Sequence, residues 1–170
     1  MIHINIGSNL KSKHGTKFRN ISLAINLLIE SKFKIKKISS FYETPSYPNK
    51  RHPKFANIGL LADFKLDYDR LIKEILLIEK KIGRVRTKKN DPRVCDIDII
   101  DFKGVIKEKG NVLLPHPKSH TRNFVLYPIK EIDSKWIHPV LRKNVEFLIN
   151  DLNQNSRIEI TRLTKSVNIK

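Results

Sequence analysis

Acidic and basic side chains adjoin one another in the middle of the chain, between residues 83 and 102. The first half of this stretch has the composition of a loop and contains three arginines, Arg84, Arg86 and Arg93. The second half is rich in isoleucine, which is typical of a strand, and contains Asp96 and Asp98. Side chains two apart along a strand share a face, so both carboxylates are predicted to project together.

This pairing favours the chemistry of a metal–polyphosphate site. Two carboxylates on one face among apolar neighbours repel each other and lose solvation, a cost that a bound cation removes. Magnesium suits hard carboxylate oxygens and completes its coordination with water and substrate phosphates. The planar guanidinium of arginine grips phosphate oxygens with two hydrogen bonds. The alternative for this stretch alone is a solvated edge strand beside a solvated basic loop.

Length and composition indicate a globular chain of one domain. The 170 residues are 39% hydrophobic and 30% charged, and no apolar run approaches the length of a membrane span. The single cysteine, Cys95, excludes an internal disulfide and fits a reducing cytoplasm. It alternates away from the aspartates along the strand, so we expect it to pack in the core and not to act as a nucleophile.

The net charge of +17 and pI of about 10.1 raise nucleic acid as a partner. The basic residues are spread along the whole chain and are not gathered into one stripe or tail. Charge alone therefore does not establish a nucleic-acid surface, and we expect no nucleic-acid partner.

The order of predicted elements is that of a split βαβ, ferredoxin-like core. The elements are a strand over 2–6, a turn over 7–9, a helix over 16–31 capped by Thr16, a strand over 33–42, a proline-containing loop over 43–54, a strand over 55–64, a helix from its Asp67 cap to Gly83, and the strand with the aspartates. Helical patterns follow over 122–132 and 144–152, and residues 153–170 form a polar tail without a predicted element.

Several short motifs, in order along residues 2–132, resemble those of the 6-hydroxymethyl-7,8-dihydropterin pyrophosphokinase family. They are Gly7-Ser8-Asn9, Ser40-Phe41-Tyr42-Glu43-Thr44-Pro45, Pro53-Lys54-Phe55-Ala56-Asn57, Ile78-Glu79, Gly83-Arg84-Val85-Arg86, Asp91-Pro92-Arg93-Val94-Cys95-Asp96-Ile97-Asp98-Ile99, Pro115-His116 and Arg122-Asn123-Phe124. Their joint occurrence is far more specific than any one of them.

The resemblance implies an α+β fold, a three-layer α/β/α sandwich on a ferredoxin-like core with a mainly antiparallel sheet. It also implies transfer of the β,γ-pyrophosphoryl group of ATP to the hydroxymethyl group of the pterin, with release of AMP and with two magnesium ions. The expected protein is a single pyrophosphokinase domain over residues 1–170, a cytoplasmic monomer that binds small molecules, without a membrane or nucleic-acid partner.

The resemblance further implies roles for individual residues. Both magnesium ions are expected on Asp96 and Asp98, which with Arg84 and Arg93 form the expected catalytic set. The ATP site is expected to comprise Glu79, Arg84, Arg86, Arg93, Ile99, His116 and Arg122. The pterin site is expected to comprise Gly7, Thr44, Pro45, Phe55, Asn57 and Phe124, with Phe55 and Phe124 stacking on the flat ring.

The chain departs from the family pattern in the loop over residues 84–92. Family members usually carry an Arg-Trp pair before a Gly-Pro-Arg, whereas this chain has no tryptophan there and Asp91 replaces the glycine. Pro117 follows His116, where an aromatic can occur. We expect the loop to be mobile and to become ordered when ATP and pterin bind, because its polar residues lack apolar anchors.

Two other functions share part of this pattern. An RNA-binding module on a ferredoxin-like fold fits the charge and the element order, but it would need exposed aromatic residues on adjacent strands. The chain has no strand motif of that kind, and Trp136 lies outside the predicted core. A metal-dependent nuclease would use the acids and the basic residues but gives no reason for the motifs around Thr44 and Phe55.

Overall fold

The computed structural model describes residues 1–65, 67–85, 91–110 and 112–167. The strands are β1 (Ile2–Ser8), β2 (Lys34–Ile38), β3 (Tyr42–Thr44), β4 (Phe55–Asp63), β5 (Asp96–Phe102) and β6 (Thr161–Arg162). The helices are α1 (Lys17–Glu30), α2 (Tyr68–Ile82), α3 (Asn123–Ile132), α4 (Val145–Asn150) and α5 (Gln154–Ile158), with a 3₁₀ turn over Ser119–Thr121.

The strands form one sheet in the order β5-β1-β4-β3-β6, and β2 pairs with the other end of the same side of β4. Every strand pair is antiparallel. Helices α1 and α2 pack on one face and α3 and α4 on the other, each over its own apolar cluster. This is the three-layer α+β fold expected from the sequence.

The main core lies between the sheet and the helices α1 and α2. Paired positions of β1 and β5, Ile4 with Ile99 and Ile6 with Ile97, point into it together. Helix α1 begins after Thr16, whose side chain accepts a hydrogen bond from the backbone of Arg19. In β1 and β5, the isoleucines Ile4, Ile6, Ile97 and Ile99 follow the period-2 alternation of a strand that is apolar on one face.

The caps of α2 match the sequence prediction. The helix begins after Asp67, whose side chain accepts a hydrogen bond from the Arg70 backbone N–H. It ends at Gly83, which has a φ of 100° and is in the left-handed region that favours glycine. The C-terminus of α2 therefore turns sharply, and Arg84 follows directly next to β5.

The second core, under α3 and α4, contains Ile100 of β5 and Trp136. The sequence reading of Trp136 as lying outside the core was wrong, because its ring is 5% exposed and its indole N–H donates to Asp101 Oδ2 over 2.8 Å. Gly59 lets α3 approach the sheet closely, since a Cβ at that position would lie 2.7 Å from the Cβ of Pro128.

Several strand boundaries differ from the prediction: Glu43 and Thr44, predicted as loop, lie in β3, and β4 ends at Asp63. Strand β1 continues through Ser8, because residues 7 and 8 still pair with β4. The predicted strand over 33–42 is two strands, β2 and β3, which pair with different ends of β4. Phe41 and Tyr42 are both buried although they are consecutive, which breaks the alternation of a single strand.

The polar C-terminal tail contains elements that the sequence did not predict. Helix α5 begins after Asn153, whose side chain accepts a hydrogen bond from the Ser156 backbone, and β6 extends the sheet beside β3. A strand of two residues has no periodicity to detect, so only tertiary pairing defines it. Among the described residues, no helix is long and apolar enough to cross a membrane.

Candidate active site

Predicted site residues from three strands form one row across the sheet. Gly7 of β1 is paired with Asp96 of β5 on one side and with Asn57 of β4 on the other. Asn57 is paired in turn with Tyr42 of β3. Paired residues of neighbouring strands project from the same face, so Asp96, Gly7 and Asn57 share a surface. With strands roughly 4.8 Å apart, Asp96 and Asn57 lie roughly 10 Å apart across the glycine.

Residues two apart from this row extend the same face. Asp98 follows Asp96 along β5, Phe55 precedes Asn57 along β4, and Thr44 is paired with Phe55. This is the face that carries α3, which covers the part near Gly59. The fold thus gathers the predicted metal residues and the predicted pterin residues on one face beside the start of α3.

Gly7 leaves the middle of this row free of a side chain. A Cβ at this position would lie 3.0 Å from Asn57 Oδ1 and 3.7 Å from the Phe55 ring. Any larger residue would therefore fill the space between the carboxylate end and the aromatic end of the row. This close approach explains why a glycine stands inside an otherwise apolar strand.

Asp96 is the centre of a cluster of charges. Its Oδ1 lies 2.7 Å from Arg84 Nη1, and its Oδ2 contacts Arg93 Nη1. Arg84 also contacts Glu79 of α2, which is 4% exposed and accepts a hydrogen bond of 2.9 Å from the Ile97 backbone. Glu79 thus holds both β5 and the guanidinium of Arg84 in place.

Burial and neighbouring charges shift the pKa values of Arg84, Glu79 and Asp98. Burial disfavours the charged form of Arg84, but the carboxylates of Asp96 and Glu79 outweigh it and raise the guanidinium pKa. Burial raises the pKa of Glu79, although Arg84 opposes the shift. Burial, and then repulsion from Asp96, raises the pKa of Asp98 to about 7, with Arg122 opposing. Asp98 is therefore the carboxylate whose negative charge is least compensated.

Asp96 and Asp98 fit magnesium as a donor set. They offer two hard carboxylates on one surface, and the incompletely compensated charge of Asp98 is the kind that a divalent cation relieves. Magnesium takes one or two carboxylates and obtains its other ligands from water and phosphate. Within the described ranges, no group of three or more His, Cys, Asp or Glu side chains is placed to hold a metal, so a site built wholly from such side chains is not present there.

His116 and Arg122 meet beside Asp98. Arg122 Nη1 lies 3.5 Å from Asp98 Oδ2 and 3.3 Å from His116 Nε2. A neutral His116 ring has one acceptor nitrogen: Nδ1 accepts the Lys118 backbone N–H over 3.1 Å when Nε2 carries the proton, and Nε2 accepts from Arg122 Nη1 when Nδ1 carries it. Burial, followed by the charge of Arg122, lowers the pKa of His116 to about 4 and keeps the ring neutral. When Nε2 carries the proton, two N–H donors converge, and an anionic oxygen would satisfy both.

Phe55 and Phe124 lie at the aromatic end of the site, each partly buried. The guanidinium of Arg93 lies 5.9 Å from the Phe55 ring centroid, and that of Arg122 lies 5.4 Å from the Phe124 ring centroid. Each predicted stacking ring thus has a predicted phosphate-binding arginine next to it. The arrangement joins the aromatic end to the charged end through two cation–π contacts.

Thr44 and Asn57 form a buried polar pair at this end. Asn57 Nδ2 donates to Thr44 Oγ1 over 3.1 Å, and the two residues are 2% and 4% exposed, respectively. Pro45 follows Thr44 and is partly buried. The amide of Asn57 is held in one orientation by this bond, as recognition of a heterocycle edge requires.

Two predicted ATP residues need comment. The side chain of Ile99 is 5% exposed and packs in the main core, so the geometry does not support a nucleotide contact by that side chain. Arg86 lies outside the described residues, and so does most of the 84–92 loop for which we predicted ordering on ligand binding.

Cys95 is buried as expected, and burial raises its pKa, which disfavours the thiolate.

The sequence reading missed two buried asparagines that join the parts of the site. Asn9 Oδ1 accepts the Arg93 backbone N–H over 2.7 Å, and Asn9 Nδ2 donates to Ser46 Oγ and to the Pro53 carbonyl. The Asn5 amide, in the orientation that satisfies its hydrogen bonds, donates to the Phe124 carbonyl over 2.9 Å. For Asn5 the only signal was a polar residue inside an apolar strand, and Asn9 stood in the Gly7-Ser8-Asn9 motif; neither signal identifies the partners.

Comparisons with known proteins show which family the chain belongs to. Residues 3–134 match the family model described as 7,8-dihydro-6-hydroxymethylpterin-pyrophosphokinase (HPPK). The chain is 34% identical over 142 residues to the 2-amino-4-hydroxy-6-hydroxymethyldihydropteridine pyrophosphokinase of Aquifex aeolicus, covering 84% of this chain and 86% of the relative. It is 36% identical over 141 residues to Folic acid synthesis protein FOL1 of Dictyostelium discoideum, covering 83% of this chain.

The chain spans about a fifth of that second relative, 21% of its length. Among solved structures, a triple mutant of Plasmodium falciparum HPPK-DHPS is similar, with a TM-score of 0.69 and 14% identity. The alignment covers 95% of this chain and 46% of that one, and at this identity it shows the fold alone. The family match spans β1 from His3 onward, β2 to β5, both arginine-bearing segments and α3. This chain belongs to the 7,8-dihydro-6-hydroxymethylpterin-pyrophosphokinase family.

Proposed function

We propose that the protein transfers a pyrophosphoryl group from ATP to 6-hydroxymethyl-7,8-dihydropterin in folate biosynthesis. The hydroxymethyl oxygen attacks the β-phosphorus of ATP, and the bond from that phosphorus to the oxygen of the α-phosphate breaks. The hydroxyl proton is released, and the products are AMP and the pterin diphosphate. The proposal rests on family membership and on the position of both half-sites on one face of the sheet.

The row from Asp96 through Gly7 to Asn57 is the observation that carries the proposal. One end of the row has the charges that a metal–polyphosphate needs, and the other end has the aromatic and amide groups that a pterin needs. Gly7 separates them by a single strand and leaves the space open. A hydroxymethyl group extending from the pterin toward the carboxylates would reach the phosphates there, as proximity catalysis requires.

At the nucleotide end, the arginines change partners. Arg84 and Arg93 both contact Asp96, and phosphate oxygens would replace that carboxylate as their acceptor. Glu79 keeps Arg84 at the site during the exchange because it is buried behind the guanidinium. Asp96 and Asp98 would then be free to hold two magnesium ions, which supply electrostatic activation of the hydroxyl and of the phosphates.

His116, with its proton on Nε2, and Arg122 would bind the outer phosphates through converging N–H donors. A neutral His116 donates one hydrogen bond without adding charge, whereas Arg122 supplies both donors and charge. Arg122 also lies next to Asp98 and the Phe124 ring, so in this proposal it contacts the nucleotide and adjoins the pterin. We assign Arg86 to the same nucleotide site from the family resemblance.

At the pterin end, Phe55 and Phe124 would stack on the two faces of the ring. Asn57, fixed by Thr44, would present its amide to the heterocycle edge, and Pro45 would close the slot beside it. The start of α3 is held to the sheet by the bond from Asn5 to the Phe124 carbonyl. This bond keeps one wall of the slot at a fixed distance from the other.

The RNA-binding alternative has no support in the structure. Helices α3 and α4 cover part of the sheet face that such a module would use for base stacking. The site on that face holds Asp96 and Asp98, which would repel a phosphate backbone in the absence of a metal.

We further propose that residues 1–170 form one domain that acts as a monomer in the cytoplasm, where the buried thiol of Cys95 remains reduced.

Product identification tests the proposed function. The protein is incubated with ATP, magnesium and the reduced hydroxymethyl pterin, and the nucleotides are separated by chromatography. We expect AMP and pterin diphosphate in equal amounts and no nucleotide turnover when the pterin is omitted. ADP as the nucleotide product, or AMP formed equally without pterin, would overturn the proposal.

A further inference from the structure

The C-terminal segment from Gln154 to Val167 contacts three elements of the pterin site. We call it the C-terminal brace; it comprises α5, β6 and the residues to Val167. It lies outside the stretch that matches the family model, which ends at residue 134. Its contacts therefore lie outside the stretch that the family model matches.

The brace first adds a strand beside β3, the strand that ends in Thr44. Thr161 pairs with Glu43, and the Leu163 backbone N–H donates to the Phe41 carbonyl over 2.8 Å. The side chains of Leu163 and Val167 pack against the main core. This part of the brace covers an edge that would otherwise be unpaired and fixes the end of β3.

A second contact joins the brace to the helix that carries Phe124. Asn123 Nδ2 donates to the Ser156 carbonyl over 2.6 Å, and Asn123 Oδ1 accepts the Phe124 backbone N–H. Arg162 lies 3.1 Å from Glu131, which is on the same helix. The brace therefore grips α3 at both its beginning and its last turn.

A third contact reaches the loop between β3 and β4, residues 45–54. Glu159 forms an ion pair with Lys50, which lies at the tip of this loop. The base of the loop is held separately, because Asn9 Nδ2 donates to Ser46 Oγ and to the Pro53 carbonyl. The base is thus fixed to β1, whereas the tip is tied to the brace.

We propose that the C-terminal brace sets the position of the 45–54 loop relative to α3, and that Glu159 is a positioning residue for pterin binding. The loop leads from Thr44 to Phe55, and α3 begins beside Phe124, so the brace spans the two walls of the slot. Glu159 does not touch substrate in this proposal; it acts through Lys50. The inference rests on the proposed function, since the slot is the proposed pterin site.

A charge-swap series on the Lys50–Glu159 pair tests the proposal. Lys50→Glu and Glu159→Lys are made singly and together, and steady-state kinetics are measured with each substrate varied. Each single swap places like charges together and should raise the KM for pterin about threefold to fivefold, the size expected for an exposed pair. The KM for ATP and kcat should change less than about twofold, and the double swap should restore the pterin KM.

A matched control uses Lys130 and Glu146, a second exposed lysine–glutamate pair, which joins α3 to α4. The same swaps there should leave both KM values unchanged. An unchanged pterin KM in Lys50→Glu and Glu159→Lys would overturn the proposal. Equal increases in both KM values, or an increase that the double swap does not reverse, would also overturn it, because either result indicates a general loss of structure.

A readout independent of activity separates this proposal from the proposed function. Trypsin cleavage after Arg51, which adjoins Lys50 in the loop tip, is followed by mass spectrometry. Cleavage should be faster in the Glu159→Lys protein than in the wild type and should return to the wild-type rate in the double swap. Equal cleavage rates in all three would overturn the brace, whereas wild-type protein that forms no AMP would overturn only the proposed function.

Discussion

Asp96 and Asp98 have the same chemistry but different surroundings. Arg84 and Arg93 both contact Asp96, whereas Asp98 has Arg122 at 3.5 Å. Burial and the neighbouring Asp96 raise the pKa of Asp98 to about 7. Ionisation of Asp98 therefore opposes folding, whereas the Asp96 carboxylate has two guanidiniums in contact with it. Stability alone therefore does not explain why the Asp96 and Asp98 carboxylates lie next to each other.

Replacement of each aspartate by asparagine should separate the two environments. With EDTA present, Asp98→Asn should stabilise the protein at pH 8 by about 1–3 kcal/mol, since a raised folded-state pKa costs stability above that pKa. The gain should shrink as the pH falls from about 7 to about 4, where Asp98 becomes protonated in both states. Denaturant unfolding across this pH range measures the effect.

The Asp96→Asn protein provides the contrast. It leaves Arg84 and Arg93 without their shared carboxylate, so it should lose about 1–2 kcal/mol of stability. Both variants should lose at least about 100-fold in kcat, because each removes charge that would hold magnesium. A destabilised Asp98→Asn protein that keeps its activity would mean that Asp98 is structural.

At the scale of elements, two glycines on neighbouring strands, Gly7 of β1 and Gly59 of β4, shape the site in different ways. Gly7 opens toward Asn57 and the Phe55 ring, whereas Gly59 receives Pro128 of α3. Both lie on the face of the sheet that carries α3. One glycine therefore keeps space for the substrate, and the other sets how closely a helix approaches.

Substitution by alanine should distinguish these two functions. Gly59→Ala should destabilise the protein by about 1–3 kcal/mol, because a Cβ there would lie 2.7 Å from Pro128 Cβ. Gly7→Ala should cost less than about 1 kcal/mol but raise the pterin KM roughly tenfold, since it fills the space between the half-sites. Thermal unfolding and kinetics are measured on both. A Gly7→Ala protein with wild-type pterin KM would show that the row is not the substrate path.

The element order, the helix caps and the strand with the aspartates could be predicted because each has a local signal. Thr16 and Asp67 cap their helices, and the alternation of β5 places both aspartates on one face. The split between β2 and β3 could not be predicted, because it depends on pairing with different ends of β4. The same holds for β6, whose two residues are defined by β3.

The candidate site could be predicted as a set of residues but not as an arrangement. The motif resemblance identified the arginines, the aspartates and the aromatic pair. It did not reveal that Asp96, Gly7 and Asn57 form one row, since cross-strand register depends on contacts distant in sequence. It included Asn9 in a motif but did not reveal its partners, which lie 37 to 84 residues away along the chain.

At the scale of the whole molecule, the charge of +17 bears on substrate binding. The nucleotide is a polyanion and the pterin is neutral, so the general field should favour one substrate and not the other. We therefore expect this field to act on ATP, the nucleotide of the proposed reaction.

Ionic strength should therefore affect the two substrates unequally. Raising salt from about 20 mM to about 200 mM shortens the screening length from about 20 Å to below 10 Å. We expect the Kd of a non-hydrolysable ATP analogue with magnesium to rise about threefold or more, and the pterin KM at saturating ATP to change less than about twofold. Calorimetry and kinetics at matched pH measure these values. Equal salt dependence for both would contradict a role for the field.

The most direct test of the central claim follows the β-phosphate of ATP. The wild-type protein is incubated with magnesium, the reduced hydroxymethyl pterin and ATP labelled at the β-phosphorus, and the products are separated. A pyrophosphoryl transfer places the β-label in the pterin product, together with the γ-phosphate, and leaves unlabelled AMP. Label retained in ADP would show that only the γ-phosphate moves and would contradict the account.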